Sequence, residues 1–240
     1  MTYRTLILYS YVFAFLSAGF AADLPVRRPE ADLEQDAWRK PQQVLAFFDI
    51  HEGMNVLEIL SFGGYYTELL ARAVGPSGKV TAQNIPFVIN DLQEGKFGRE
   101  LTERLSGNRL PNVVRYDTSF PEMELEPESF DAVTIINNYH DIFAKVAPEG
   151  QAALLAKLFS ALKPGGTLGL IDHAATPGSE FTELHRVDLG TILQAFGQAG
   201  FVLVGESNLL RNPEDDRSLS VFDASVRHKT DRFVLRFKKP

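Results

Sequence analysis

The order of apolar and polar residues predicts alternating strands and helices from Asn55 onward. An apolar run at 56–60 is followed by a glycine-containing turn and by a helical pattern at 66–74. The strongest strand pattern covers 130–137, where apolar and β-branched side chains would face both sides. Such strands are typical of parallel sheets covered by helices. Further strands are predicted at 79–83, 112–116, 167–172, 201–206 and 232–237, and further helices at 91–105, 149–162 and 187–199.

Seven strands alternating with helices predict one α/β domain with a Rossmann-like, seven-stranded, mostly parallel sheet and helices on both faces. Ligands of such open sheets bind beyond the carboxyl ends of the strands. We expect this domain to cover 51–240. A polar extension at 22–50, with a short helix at 42–48, precedes it.

The first 21 residues have the pattern of a secretory signal peptide. Residues 5–22 carry no charged side chain, follow Arg4, and end in small residues that include Gly19 and Ala21. A positive start, an apolar centre and small residues at this spacing predict cleavage after Ala21. The alternative is an uncleaved anchor, because the uncharged run approaches the roughly 18–20 residues that a membrane-spanning helix needs. With cleavage we expect a periplasmic or secreted protein without stable membrane association.

Composition and charge exclude several function classes. The 240 residues contain no Cys, which excludes disulfides, a thiolate nucleophile and a zinc–thiolate site. The net charge of −7 argues against a general nucleic-acid-binding protein, which needs a basic surface to displace counterions. We therefore expect no nucleic-acid partner.

The turn after the first predicted strand is the candidate cofactor loop. Glu58 is followed at alternate positions by Leu60, Phe62 and Gly64, with Gly63 beside Gly64. This pattern resembles the first motif of class I S-adenosylmethionine-dependent methyltransferases, an acidic residue followed by glycines at alternate positions. In that superfamily the glycines let the backbone approach the methionine part of the cofactor. Leucine and phenylalanine stand at two of the glycine positions here, so a strand followed by an ordinary Gly-Gly turn is the alternative.

The resemblance extends over nearly the whole chain after the predicted signal peptide. Asn84 ends the second strand, where the superfamily usually has an acid on the ribose hydroxyls, and Asp117 ends the third, where it often has a carboxylate on the adenine. Segments similar to a bacterial "predicted methyltransferase" family, whose members often carry signal peptides, lie at 36–41, 45–48, 138–141, 172–174, 184–188, 210–217, 221–223 and 229–233. The resemblance implies S-adenosylmethionine as cofactor, bound by Glu58, Gly63, Gly64, Tyr65, Asn84 and Asp117. It implies no particular acceptor.

Two His–Asp pairs are the candidate catalytic residues. His140 and Asp141 directly follow the fourth strand, and Asp172 and His173 end the fifth, so both pairs should reach the same crevice. An imidazole there can take a proton from a hydroxyl or amine acceptor, with Asp141 or Asp172 orienting it. The alternative is that these side chains cap the helices or turns after the strands.

The same region offers nitrogen and oxygen ligands for a divalent cation, although we expect no metal. Carboxylates and water suit magnesium better than clustered imidazoles do. His185 and Asp188 would share one face of a helix, or form an exposed, ion-paired surface. The ligand-type side chains in question are His140, Asp141, Asp172, His173, His185 and Asp188.

Two functions remain open from the sequence. The first is an S-adenosylmethionine-dependent methyltransferase acting on a small molecule. The second is an exported, non-catalytic binding protein that keeps the fold, which Leu60 and Phe62 favour because they crowd the cofactor loop. The segment from 211 to 232 is expected to be a long ordered loop that either covers the substrate or only connects two strands.

Expression of the full chain in a bacterial host with a periplasm is expected to give a periplasmic protein that begins at Ala22. Gly19→Leu should block this cleavage, because signal peptidase accepts only small side chains at this position. Intact-protein mass spectrometry of the periplasmic and membrane fractions measures the outcome. A membrane-bound wild-type protein that retains the first 21 residues would support the anchor instead.

Overall fold

The structure is a computed structural model that describes residues 27–178 and 181–240. The predicted signal peptide at 1–21 lies outside the described residues, and its cleavage stays a prediction. None of the helices in the described ranges has the length and apolar character needed to cross a bilayer.

Eight helices and seven strands make up the described fold. The helices are α1 (Glu30–Arg39), α2 (Pro41–Phe47), α3 (Tyr65–Val74), α4 (Pro86–Asn90), α5 (Lys96–Leu105), α6 (Tyr139–Lys145), α7 (Pro148–Ala161) and α8 (Leu189–Gln198). The strands are β1 (Asn55–Ile59), β2 (Lys79–Asn84), β3 (Val113–Asp117), β4 (Phe130–Ile136), β5 (Leu162–His173), β6 (Val202–Ser207) and β7 (Arg232–Lys238).

All seven strands form one sheet in the order β3-β2-β1-β4-β5-β7-β6. Strand β7 runs antiparallel to β5 and β6, and the other neighbouring pairs are parallel. The strand order reverses between β1 and β4, so the segments that follow these two strands diverge and leave a crevice at their carboxyl ends. The predicted seven-stranded, mostly parallel sheet is confirmed.

Alternate side chains of the strands face two separate apolar cores. In β4, Ala132 belongs to one core and Val133 to the other. The first core also contains Leu70 of α3, and the second contains Leu158 of α7 and Phe196 of α8. Helices therefore cover both faces of the sheet, which explains why its central strands are apolar at consecutive positions.

Three elements differ from the sequence prediction. The helix predicted at 91–105 is split into α4 and α5, because Gly95 has a φ of 73° and a Cβ there would lie 2.9 Å from the Asn90 carbonyl oxygen. Helix α6 has seven residues, too few to show a helical period in the sequence. Strand β5 begins at Leu162, the last residue of the helix predicted at 149–162, because Leu162 pairs with Phe130 before a register shift.

The segment from 208 to 231 between β6 and β7 is fixed by buried ion pairs. Arg186 has no exposed surface and binds both carboxylate oxygens of Asp215, at 2.9 and 3.1 Å. Asp231, also buried, lies 2.9 Å from Arg217. Because separating such pairs would leave charges buried without a partner, the segment is held in place. The expected ordered loop is confirmed, and its role as a substrate cover stays a prediction.

A second buried ionic cluster fastens α1 to the sheet domain. Glu68 of α3 lies 2.6 Å from Arg109 and 2.8 Å from Arg104. Arg104 in turn lies 2.6 Å from Asp32 of α1. Burial opposes ionisation of Glu68, but hydrogen bonds from Arg109 and Arg72 and the charge of Arg109 outweigh it and lower the pKa of Glu68 to about 2. The carboxylate is therefore ionised throughout the ordinary pH range.

Glu68→Gln is expected to lower the free energy of unfolding at neutral pH by about 3–5 kcal/mol, because it leaves buried arginines without their counter-charge. The ionised carboxylate stabilises the fold fully above the ordinary pKa of 4.5, and this contribution is lost as the pH falls toward about 2. The difference between wild type and variant should therefore shrink in acid. Urea unfolding at several pH values measures it.

The exposed Glu103→Gln in α5 is the matched control and should change stability by no more than about 0.5 kcal/mol. A loss in Glu68→Gln that stays equal at every pH would show that packing, and not charge, causes it.

Candidate functional site

The loop between β1 and α3 keeps the backbone shape of a glycine-rich loop. Leu60 and Phe62 have φ values of 53° and 52°, and Gly64 has a φ of 85° directly before α3. Glycine adopts this left-handed region freely, whereas other residues adopt it at a cost of about 1–3 kcal/mol each. Leu60 and Phe62 therefore hold backbone angles that suit glycine and add side chains to the loop.

The two added side chains lie in different surroundings. Leu60 is buried and belongs to the same apolar core as Val133. Phe62 is half-buried and packs edge-to-face against Phe97 of α5, with ring centroids 4.8 Å apart. Because Leu60 is part of the core, Phe62 is the bulky side chain that remains partly accessible at the loop.

Asn84 at the end of β2 holds this loop in place. Its Oδ1 accepts a hydrogen bond from the Phe62 amide at 2.8 Å. Its Nδ2 donates to Ser61 Oγ at 2.9 Å and to the Phe62 carbonyl oxygen at 3.2 Å. Asn84 has no exposed surface, and these bonds use both of its donor hydrogens. In this arrangement the Asn84 side chain holds the loop in position. Its contact with ribose stays a prediction.

Most backbone amides of the loop donate hydrogen bonds within the protein, but the Gly63 amide has no acceptor among the described residues. The Ser61 amide donates to the Gln83 carbonyl oxygen, and the Gly64 amide donates to that of Ser61, both at 2.9 Å. Within the described part of the chain, no acceptor receives the Gly63 amide, while the Gly63 carbonyl oxygen accepts from Arg104 Nε at 2.9 Å. The Gly63 amide is therefore the donor that the loop can offer to a ligand.

Glu58 is buried beneath the first turn of α3. Its carboxyl accepts a hydrogen bond from the Thr67 hydroxyl at 2.5 Å. Burial raises the pKa of Glu58 to about 8, although the Thr67 hydroxyl and the charge of Arg104 act in the opposite direction. The contact with Thr67 ties β1 to α3, so in the described structure Glu58 supports the loop from below. Its direct contact with a cofactor stays a prediction.

Tyr65, the first residue of α3, faces the N-terminal helix α1. Its hydroxyl donates to Asp36 Oδ1 at 2.6 Å, and both carboxylate oxygens of Asp36 also accept hydrogen bonds from Arg28. The guanidinium of Arg39 lies 4.5 Å from the centre of the Tyr65 ring. The position of α1 beside the loop therefore depends on the segment around Asp36. A role of Tyr65 toward a cofactor stays a prediction.

Asp117 is the exposed acid at this end of the sheet. It pairs in register with Asn84 of the neighbouring strand β2, so it lies at the expected carboxyl edge. Its carboxylate forms an ion pair with Arg115, and 27% of the side chain is exposed. Its predicted contact with an adenine amino group stays a prediction.

His140 and Asp172 form a buried hydrogen-bonded pair. His140 Nδ1 lies 2.6 Å from Asp172 Oδ1, and Asp172 Oδ2 accepts the His140 backbone amide at 2.8 Å. Burial opposes protonation of the imidazole, but the carboxylates of Asp172 and Asp141 outweigh it and raise the pKa of His140. Asp172 thus orients the ring and also caps the start of α6, so the catalytic and capping interpretations apply to the same side chain.

His173 lies beside His140, with ring centroids 5.8 Å apart. Its Nδ1 is 2.8 Å from the Thr230 hydroxyl oxygen. Burial, with the nearby charges of His140 and Arg232, lowers the pKa of His173 well below 6.5. His173 is therefore neutral at physiological pH. The residues after β4 and at the end of β5 lie side by side, as expected from the sequence.

A third histidine, His185, joins this cluster. Its Nδ1 lies 3.2 Å from Asp141 Oδ1, and its ring centroid lies 5.5 Å from that of His140. Asp188 does not take part, because it caps α8 by accepting the Thr191 amide at 3.1 Å. The sequence offers His185 only as one of several ligand-type side chains, since nothing in its spacing shows that the segment before α8 returns to α6.

Asn138 connects the loop to the histidine cluster. Its Nδ2 donates to the Leu60 carbonyl oxygen at 2.9 Å, and it lies two residues before His140. The preceding Asn137 has a φ of 58°, and its Oδ1 is buried without a hydrogen-bond partner among the described residues. The two strand ends on either side of the crevice are therefore bound directly to each other.

Comparison of the sequence with known proteins gives distant similarities. No protein-family model matches the chain. The chain is similar to demethylmenaquinone methyltransferase of Staphylococcus aureus (strain JH9), with 27% identity over 165 residues. The match covers 69% of this chain and 61% of that protein, so the chain spans about three fifths of the relative's length.

Comparison with solved structures gives the fold. The S-adenosylmethionine-dependent methyltransferase from Aquifex aeolicus matches with a TM-score of 0.61 and 18% identity, over 86% of this chain and 98% of that chain. The cyclase SpnF matches with a TM-score of 0.61 and 16% identity, over 90% and 86% of the two chains. The chain has the fold of S-adenosylmethionine-dependent methyltransferases, and the cyclase SpnF shares this fold.

Asn84→Ala is expected to lower the free energy of unfolding by about 2–3 kcal/mol, because three buried hydrogen bonds are lost and the Phe62 amide is left without an acceptor. Hydrogen exchange at the Phe62 amide should become much faster than in the wild type. The exposed Asn90→Ala in α4 is the matched control and should leave both quantities unchanged. Unchanged protection of Phe62 in Asn84→Ala would contradict the anchoring role.

Proposed function

We propose that the chain is a class I methyltransferase that transfers the methyl group of S-adenosylmethionine to a small-molecule acceptor. The observation that carries the proposal is the loop between β1 and α3, which has left-handed backbone angles at 60, 62 and 64. These are the three alternate positions at which the superfamily has glycine. A chain with no ligand at this loop has no evident reason to keep two non-glycine residues in costly conformations.

The residues present fit the cofactor. Gly63 offers a free amide, and the buried Asn137 Oδ1 is an acceptor without a donor in the described structure. Asp117 offers a partly exposed carboxylate at the end of β3, which is separated from β1 by β2. We propose that Gly63, Gly64 and Asp117 contact the cofactor, while Glu58, Tyr65 and Asn84 keep the loop and α3 in position. When bound, S-adenosylmethionine supplies a methyl group on a positively charged sulfur.

The acceptor side of the proposed site is the cluster of His140, Asp141, Asp172 and His173. Methyl transfer from a sulfonium mainly requires that the acceptor be oriented and water be excluded. For a hydroxyl or amine acceptor, a proton must also leave. The Asp172 carboxylate holds His140 through Nδ1, so Nε2 is the ring nitrogen that can accept this proton. His173, which is neutral and adjacent, is the alternative base.

The similarity to demethylmenaquinone methyltransferase indicates which acceptor to assay first. Demethylmenaquinone is an apolar quinone whose reduced form carries hydroxyl groups, and a neutral or Asp-held imidazole suits an acceptor that loses a proton. Because the chain covers only part of that relative, we propose this compound only as the first in an acceptor series. Export of the protein after cleavage at Ala21 belongs to the same proposal.

The second candidate function is a non-catalytic binding protein on the same fold. The Phe62 side chain favours this second function. Its ring packs on Phe97 at a loop position where the superfamily has glycine, which has no side chain. In that case the left-handed loop would be a retained feature of the fold. The two candidates differ in whether the loop accepts the cofactor as it stands.

Calorimetric titration of the folded protein with S-adenosylhomocysteine separates the two. The methyltransferase proposal expects binding with a Kd of about 1–100 μM. Phe62→Gly should leave this affinity within about threefold, because the backbone already has the glycine conformation. Asp117→Asn should weaken binding about tenfold or more through loss of a charge-assisted hydrogen bond, and the exposed Glu122→Gln is its control.

No heat of binding at millimolar ligand, in a sample shown to be folded by circular dichroism, would refute the methyltransferase. Binding that arises only in Phe62→Gly would show that the native loop has been closed and would support the binding protein.

A further inference from the structure

We propose that His140, Asp141 and His185 form a binding site for one divalent transition-metal ion. The sequence offers six ligand-type side chains around the ends of β4 and β5, and it favours no ion. Among the described residues, the structure brings one ligand atom from each of these three within 4.8 Å of the others. The proposal goes beyond the proposed function and does not depend on it.

The distances between ligand atoms suit a metal ion. His185 Nδ1 lies 3.2 Å from Asp141 Oδ1, and His140 Nε2 lies 3.5 Å from Asp141 Oδ2. One ligand atom from each of the three residues lies within 4.8 Å of the others. Atoms that bind a common ion at about 2.0–2.2 Å are themselves roughly 3 to 4 Å apart. Small side-chain rotations are therefore enough to bring all three onto one ion.

Asp172 holds the His140 ring in the way that a carboxylate holds a metal-binding imidazole. Its Nδ1 is held by Asp172 at 2.6 Å, and the same carboxylate accepts two backbone amides, those of His140 and His173. This carboxylate–imidazole arrangement fixes the ring so that Nε2 is the coordinating nitrogen. His140 is almost fully buried, so an ion bound there would be shielded from bulk water on one side.

An independent observation at His185 also points to a ligand. Its Nδ1 is a buried atom that makes no well-formed hydrogen bond among the described residues, and it faces the Asp141 Oδ1 atom at 3.2 Å. The residue has a φ of 54°, a left-handed conformation that is costly for histidine and turns the chain at the end of the 182–184 turn. The His185 ring packs against the Phe222 ring, with ring centroids 4.7 Å apart. This contact holds the imidazole beside Asp141. An ion bound between this nitrogen and the Asp141 carboxylate would satisfy both groups.

The ligand chemistry identifies the class of ion. Two imidazoles and one carboxylate suit zinc, iron(II), cobalt(II) or manganese(II), whereas magnesium and calcium prefer oxygen ligands. Three protein ligands also leave coordination positions open. The Lys145 ammonium, 2.8 Å from Asp141 Oδ1, occupies part of this space, but its side chain is 60% exposed and can turn into solvent when an ion replaces it.

The site changes how the acceptor would be activated if the protein is a methyltransferase. A bound ion uses His140 Nε2 as a ligand, so this nitrogen no longer acts as a base. An acceptor hydroxyl that binds at an open position has its pKa lowered by the ion, and its proton passes to solvent water. The acceptor class would then be compounds with a hydroxyl or enol oxygen. This consequence rests on the proposed function, whereas the ion site itself does not.

The test is metal binding to the purified protein, prepared without a polyhistidine tag and freed of metal with a chelator. Calorimetry with zinc chloride should give one ion per chain with a Kd of about 1 μM or lower, and magnesium chloride should bind at least about 100-fold more weakly. Cobalt(II) should give visible absorption bands from a site with nitrogen ligands. Tm measurements with and without each ion give a second readout.

Asp141→Asn and His185→Gln should each weaken zinc binding by about 100-fold or more, and Asp172→Asn by about 10–100-fold through loss of the support for His140. His51→Gln, at an exposed histidine remote from the cluster, is the matched control and should bind zinc as the wild type does. The Tm of each metal-free variant establishes that it is folded.

Absence of zinc binding in the wild type would overturn the proposal, as would equal binding in the wild type and in both Asp141→Asn and His185→Gln. Titration of the same samples with S-adenosylhomocysteine tests the proposed function separately. Cofactor binding without metal binding leaves His140 as the base, and metal binding without cofactor binding refutes only the methyltransferase.

Discussion

The hydrogen bonds between the Asn84 side chain and the loop after β1 are the constraint on which the candidate site depends. Leu60 and Phe62 hold backbone angles that residues other than glycine adopt only at a free-energy cost. Asn84 offsets part of this cost by accepting the Phe62 amide and donating to the Phe62 carbonyl oxygen. Since β2 is paired with both β1 and β3, Asn84 is itself fixed, and the loop takes its position from the sheet.

Buried carboxylates play a similar part elsewhere in the molecule. Glu68 binds arginines near α1, Asp215 binds Arg186 under the segment before β7, and Asp172 binds His140. Buried ion pairs add little net stability compared with apolar packing, but breaking one is costly. Their effect here is geometric, because each holds a peripheral segment against the carboxyl end of the sheet, where ligands of this fold bind.

The two parts of the site differ in how they are supported. The loop depends on backbone hydrogen bonds to β2, and the histidine cluster depends on Asp172 at the end of β5. Asn138 connects them through the Leu60 carbonyl oxygen. The neutral His173 and the more basic His140 lie side by side in different electrostatic surroundings, which is how neighbouring groups of one type acquire different chemical roles.

The sequence by itself determined the sheet, because apolar runs on both faces of 56–60 and 130–137 are compatible only with strands covered by helices on both sides. It also determined that His140 and Asp172 would lie close together, since parallel strands end at the same edge. Tertiary structure alone decided that Leu60 enters the core, that Asn84 holds the loop, and that His185 reaches Asp141. These contacts join residues far apart in the chain, and their partners depend on how loops return across the sheet, which no local periodicity encodes.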